Sequence, residues 1–228
     1  MSALRNLISV VVCSSLVALL SGCGSGGGGG SNFVAKHEPW RAVEERQCLA
    51  SGLVHQSRFV QARSALGGPS ACGAEQPFLM SGADGGRVVL QPAATLRCPM
   101  VPAVDHWVRT VVSPAAIRYF GAPIREMKVA ASYGCRPINH KVGGKLSEHG
   151  HANAIDISEF HFANGQRVSV LGGWWGDPRE RAFLRAVHRG GCDTFTTVLG
   201  PLADRHHHDH FHFDLARHGR TGTYRVCR

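Results

Sequence analysis

The sequence predicts one α+β domain, a mostly antiparallel sheet with flanking helices. Three observations predict it. Between residues 102 and 119 the apolar residues Val104, Trp107, Val108, Val111 and Val112 recur at the spacing of a helix with one buried face. Asn164-Gly165 lies between two strand-like runs, the strongest short hairpin signal in the chain. Near the C-terminus, His210 to Leu215 alternates imidazoles with phenylalanines, which is the period of a strand.

The elements follow in chain order. Residues 44–64 mix polar and apolar positions with turn signals and give no clear element. Arg87 to Leu90 reads as a short strand ended by Gln91-Pro92. The helix from Pro102 to Tyr119 should end or kink at Pro114, which has no N–H to give. Met127–Ala131 and Ala154–Ile157 read as strands, and Arg167–Leu171 as another after the Asn-Gly turn. Pro178 opens a helix through His188, with Ala182, Phe183, Ala186 and Val187 on one stripe, and Gly190-Gly191 should close it. His188 is expected on its exposed side, and His151 at the surface. Trp174-Trp175 reads as packing, or as the wall of a groove.

The amino terminus has a different character. Arg5 precedes an apolar run, Leu7 to Leu20, of about 14 residues, shorter than the roughly 20 that span a bilayer. Leu20-Ser21-Gly22-Cys23 follows and resembles the lipobox of bacterial lipoproteins. Residues 1–22 are therefore expected to be a lipoprotein signal peptide. Cys23 is then the lipidated residue, 23–31 a flexible Gly-rich tether, and 32–228 the folded domain. The expected location is the bacterial cell envelope, exported and lipid-anchored, facing the periplasm. Gly24 rather than Asp after the lipid-bearing cysteine favours the outer membrane weakly.

Of the eight cysteines, Cys13 lies in the apolar run and Cys23 just after it, which leaves Cys48, Cys72, Cys98, Cys135, Cys192 and Cys227. An even number in an exported chain, with no CxxC pair, predicts three disulfides rather than a cysteine metal site; the sequence does not choose among the 15 pairings. Formal charge is +9, and cleavage after Gly22 removes only Arg5. A basic exported domain meets anionic partners such as head groups or the wall polymer. No DNA-binding pattern is present, and nucleic acid is not an expected partner.

Chemistry concentrates in two segments, Ser147 to Asp156 (SEHGHANAID) and His206 to Asp214 (HHHDHFHFD). On a strand, His208, His210, His212 and Asp214 share one face while Phe211 and Phe213 take the other. A row of neutral imidazoles suits zinc. Asp156 alternates with Ile155 and Ile157, and a carboxylate among core residues needs a partner.

The pattern Ser-x-His-x-x-x-x-Ala-x-Asp with a later His-x-His resembles the zinc D-alanyl-D-alanine peptidases and the murein endopeptidases, with a zinc site of the hedgehog-like kind. The resemblance implies His149, Asp156 and His212 as metal ligands, His210 as a catalytic group beside the metal, and His207 as a candidate neighbour of the ligands. More closely, residues from about Cys48 to Cys227 resemble the bacterial extensin-like C-terminal family, through SYGCR at 132–136, SEHGHANAIDI, Trp174, Ala182-Phe183-Leu184, Thr197-Val198-Leu199-Gly200-Pro201 and DHFHFD.

Two departures from the peptidases stand out. Ala152 occupies a place where they usually have Gly. The peptidases place a catalytic Glu a few residues before the last metal ligand; here Asp209 and His210 stand in that place, with His210 the first candidate as a base and Glu148 and Asp209 next in line. Two His and one Asp would leave a fourth zinc position for water, whose pKa the ion lowers to roughly 7, and this suits amide hydrolysis. Arg136 is the candidate to fork onto a substrate carboxylate. The expected function is a zinc peptidase acting on peptidoglycan stem peptides or cross-links. The alternatives are a non-catalytic, zinc-stabilised wall-binding lipoprotein, or another zinc hydrolase of an envelope polymer.

Overall fold

The computed structural model describes residues 32–228; the expected signal peptide at 1–22, Cys23 and the expected tether at 23–31 lie outside them. Among the described residues no helix is long and apolar enough to cross a membrane. The strands of the main sheet are β1 (Val60–Ala62), β2 (Phe78–Ala83), β3 (Val88–Leu96), β4 (Ile124–Ala131), β5 (Ala154–Phe162), β6 (Arg167–Ser169), β7 (Thr197–Leu199), β8 (Phe211–Asp214) and β9 (Val226–Cys227). Their order is β9-β7-β8-β5-β4-β3-β2-β1, with β6 continuing the β8 side of β5.

The sheet is mixed rather than mostly antiparallel, because β3–β4 and β7–β9 run parallel. The first parallel pair follows from the helix between its strands, since a crossover returns the chain in the same direction. That helix, with α1 (Pro39–Ser51) preceding it in the chain, begins as α2 (Met100–Trp107). It passes through a π turn at Val108–Val112 and ends as α3 (Ser113–Phe120). Pro114 therefore does not stop it: the wider π turn just before it absorbs the missing N–H. Pro92 does not stop β3 either. It sits where the β2–β3 register slips between Met80 and Gly82, the sort of bulge in which a strand tolerates proline.

A longer helix, α4 (Pro178–Thr194), packs beside α2 and α3. It runs through Gly190-Gly191, which are close-approach residues and not a terminus. A Cβ at Gly190 would lie 2.5 Å from Val111 Cγ1, and one at Gly191 2.6 Å from Phe213 Cε1. The Asn164-Gly165 turn joins β5 to β6 as expected, whereas Val170–Gly173 is a helical turn rather than strand.

The helices cover one face of the sheet. Trp107 meets Phe213 at 4.5 Å and Phe195 at 6.1 Å between ring centroids, and its Nε1–H donates to the Val187 carbonyl at 3.0 Å. Ile155, Ile157, Phe211 and Phe213 are buried on this side. Three disulfides join Cys48 to Cys98, Cys72 to Cys135 and Cys192 to Cys227. They tie α1 to the start of α2, the SYGCR loop to residue 72, and the end of α4 to β9.

Candidate metal centre

The opposite face of β5 and β8 carries the polar residues. Antiparallel pairing sets His212 directly against Asp156, and Phe213 against Ile155. One register thus sends the aromatic pair into the core and brings imidazole and carboxylate together. His149 arrives from a 3₁₀ turn, Glu148–His151, capped by the Ser147 side chain. Gly150 has no room for a side chain, since a Cβ would meet Leu146 Cδ1 at 2.6 Å and Cys72 Sγ at 3.4 Å. Ala152 closes the turn in the left-handed region, at φ 50°, which explains the glycine expected there.

The three residues converge. Potential ligand atoms of His149, Asp156 and His212 all lie within 4.8 Å of one another, and all three side chains are buried. His149 Nδ1 lies 2.5 Å from the Ser132 carbonyl oxygen. A carbonyl accepts and cannot donate, so the proton is on Nδ1. Nε2, 3.1 Å from Asp156 Oδ2, is left as the ligand atom. His212 Nε2 donates to Asp214 Oδ2 at 2.9 Å, which turns Nδ1 toward Asp156 Oδ1 at 2.8 Å.

Asp214 is itself fixed by the Ala216 N–H at 2.9 Å and by the Thr197 hydroxyl. A tetrahedral ion with bonds of about 2.0–2.1 Å needs ligand atoms roughly 3.3 Å apart, and the two His–Asp distances of 3.1 and 2.8 Å make the set a geometric candidate for one ion. Without an ion, His212 is an imidazolium between two carboxylates. Burial opposes its charge, but hydrogen bonds to Asp156 and Asp214 prevail and push its pKa up to about 10. Burial likewise opposes the Asp156 charge, yet the two histidines hold its carboxyl well below the usual range.

These groups open into a cavity of about 390 Å³ that His207, His210 and Arg136 also line. His210 Nδ1 donates to Asp209 at 2.8 Å, and its Nε2 stands 3.7 Å from Asp156 Oδ2. His207 Nδ1 donates to Asp204 at 2.9 Å. Each imidazole is thus oriented by a carboxylate. Arg136 forms no ion pair among the described residues. The backbone bends before Phe211, so His208 leaves the shared face; it is exposed and donates to the Arg205 carbonyl.

A family model described as extensin-like protein C-terminus matches residues 46–228. The chain belongs to that family. No curated protein and no solved structure matches it. The extensin-like match begins inside α1, and residues before it still brace the turn that carries His149. Arg41 forks onto Glu148 at 2.6 and 2.7 Å, and Asn153 donates to the same carboxylate at 2.6 Å. Both Glu148 oxygens are therefore engaged by Arg41. Phe33–Val34 pairs in parallel with Gly144–Lys145, just ahead of Ser147.

Two histidines depart from expectation. His151 is buried beside Arg41 and Arg97; desolvation, with help from Arg41, pulls its pKa down to about 4. His188 is buried against Trp174 and Phe211, and its Nε2–H donates to the Arg228 carbonyl at 3.0 Å. His188, Cys192 and Cys227 also cluster, but the two sulfurs are bonded to each other and hold no ion. Asp214, Ser132 and Arg41 had no assigned role in the sequence. For Asp214 the signal was present, two residues after His212 on the same face.

Proposed function

We propose that this chain is a zinc-dependent peptidase of the cell envelope, related to the D-alanyl-D-alanine peptidases and murein endopeptidases, that cleaves amide bonds of peptidoglycan stem peptides or cross-links. The observation that carries the reading is the orientation of two rings: the Ser132 carbonyl and Asp214 each occupy the outward nitrogen of a histidine, leaving inward nitrogens beside one carboxylate. Bound there, zinc supplies Lewis acidity toward a carbonyl and a nucleophile at neutral pH. His210, held by Asp209, moves a proton at Nε2 or stabilises the developing oxyanion. Arg136 forks onto a substrate carboxylate and sets its position.

Export and a lipid on Cys23 belong to the same proposal, and three disulfides support an oxidising compartment. A second reading, a zinc-stabilised wall-binding lipoprotein without turnover, draws on one feature: no glutamate lies in the few residues just before His212, and Glu148 is tied to Arg41. Digestion of murein sacculi by the zinc-loaded protein, with mass spectrometry of released fragments, decides between them. The peptidase reading expects new amide-cleaved fragments that vanish with His149→Ala. Sedimentation with sacculi but no release in any preparation overturns it in favour of the binder.

A further inference from the structure

A second concavity, about 800 Å³, lies beside the metal cavity over the loop at 138–145. The two share Ile138, Asn139 and His206 as walls, so they lie side by side. Lys141, Lys145 and Arg205 line the outer part, and no carboxylate does.

Charges lining the two concavities divide into two classes. Every carboxylate at the inner end already has a partner: Asp156 and Asp214 hold the ligand histidines, Glu148 holds Arg41, and Asp204 accepts from His207 Nδ1 and the His206 N–H. The cations do not. Arg136, Lys141, Lys145 and Arg205 form no ion pair among the described residues, and the side-chain hydrogen bond of Arg205 goes to the His206 ring at 3.4 Å. The outer part, lined by Lys141, Lys145 and Arg205 with no carboxylate, is the positive end of the groove.

We propose that this groove binds the carboxylate-bearing stretch of an acidic peptide chain, with the amide to be cut lying at His149, Asp156 and His212; this rests on the peptidase reading above. The shape selects the occupant. A concavity that adjoins the cavity of His149, Asp156 and His212 accepts an extended strand lying across both, whereas a flat anionic bilayer meets a convex or flat basic face. Exposed side chains without partners also cost little to desolvate, so they discriminate by charge and orient the chain more than they add affinity.

The test uses the full-length protein in a neutral detergent, stripped of metal so that neither zinc nor turnover affects the reading. Fluorescence anisotropy compares a labelled peptide carrying three glutamates with its glutamine counterpart. The acidic peptide should bind roughly tenfold tighter. The preference should shrink between 0.1 M and 1 M salt, as the Debye length falls from about 10 Å to 3 Å. Lys141→Glu with Lys145→Glu should abolish the preference; both side chains are exposed, and an unchanged melting temperature will show that the fold is intact.

Equal binding of the two peptides, or a preference that survives the double substitution, overturns the proposal. So does failure of the acidic peptide to bind while vesicles of phosphatidylglycerol sediment wild type and not the variant, because the cations then serve a lipid surface. Loss of sacculus cleavage with the peptide preference intact would count against the peptidase reading and leave the groove's charge selectivity standing.

Discussion

The two faces of β8 make opposite use of neighbouring residues. Phe211 and Phe213 are fully buried under α2 and α4, where non-directional packing holds them. His212 and Asp214, one residue away, are also buried, but in a chain of directed contacts from Thr197 through Asp214 and His212 to Asp156 and His149. The aromatic face stabilises whatever ligand is present. The polar face has a defined arrangement of protons that depends on whether a cation is there, so the same burial produces scaffold on one side and a responsive site on the other.

The largest test sets the faces against each other. Phe213→Ala should cost about 3–5 kcal/mol, as expected for truncating a buried aromatic residue, yet leave zinc binding intact in the folded fraction. His212→Ala should destabilise the metal-free protein by a similar few kcal/mol, because Asp156 and Asp214 lose their buried partner, and should also abolish stoichiometric zinc. Denaturant melts with metal analysis after dialysis check both. Zinc retained by His212→Ala would break the division between faces.

Acidity probes the same pair. A folded pKa near 10, above the ordinary 6.5, means that the imidazolium stabilises the metal-free fold below about pH 6.5. That contribution disappears as pH rises through about 10. Zinc must displace the proton, so its affinity should rise over the same window. Melting curves with and without zinc should therefore diverge more at pH 9 than at pH 7. A zinc-induced shift that shrinks with pH would contradict the assignment of Nδ1 as the ligand.

His210 separates chemistry from metal holding. His210→Ala should keep its zinc and lose roughly 10²–10⁴-fold in turnover on murein, the range for a general acid–base group. Because Asp209 orients the ring, Asp209→Asn should fall in the same direction by less. Full activity in His210→Ala would make the residue a bystander.

Much of this was legible because it rests on periodicity. The alternation of Phe211, His212, Phe213 and Asp214 assigned both faces of β8, and the helical spacing at 104–112 assigned the covering layer. The parallel β3–β4 pair was implicit in the helix between those strands but lost among hairpin signals. Other features needed tertiary contacts. Gly190 and Gly191 looked like a terminus because close packing against Val111 and Phe213 leaves no mark in local sequence. Helix α1 was missed because its packing is largely polar: Arg41 lies 4.4 Å from the Trp40 ring and pairs with Glu38 and Glu148. His151 and His188 looked like surface residues for the same reason, since imidazoles occur in both settings.

That polar docking of α1 predicts a smaller effect. The Arg41–Glu148 pair is largely but not fully buried, so Arg41→Ala should cost about 1–3 kcal/mol, below the cost of breaking a fully buried pair. It should also weaken zinc several-fold by loosening the turn that carries His149. Arg41→Lys should recover only part of this, because a single ammonium cannot reproduce the fork. Zinc affinity equal to wild type in Arg41→Ala would show that the turn is held by Ser147 and the Cys72–Cys135 bridge alone.

The smallest effect is expected at Ala152, where three terms nearly cancel. A non-glycine residue in the left-handed region carries about 1–2 kcal/mol of strain, which Ala152→Gly would relieve. The methyl group is fully buried, and removing it forfeits roughly 0.8 kcal/mol of burial. Glycine also loses about 0.5–1 kcal/mol more conformational freedom on folding. The net change should lie within about 1 kcal/mol of zero. Zinc affinity should be unaltered, because the backbone bonds that fix the turn, from the Ala152 N–H to the His149 carbonyl at 3.1 Å and from the Arg97 N–H to the Ala152 carbonyl at 2.8 Å, need no side chain. Chemical denaturation and zinc titration of Ala152→Gly measure both. A loss above about 2 kcal/mol, or a tenfold loss of zinc, would mean that the methyl group itself holds His149 in place and that packing extends onto the polar face.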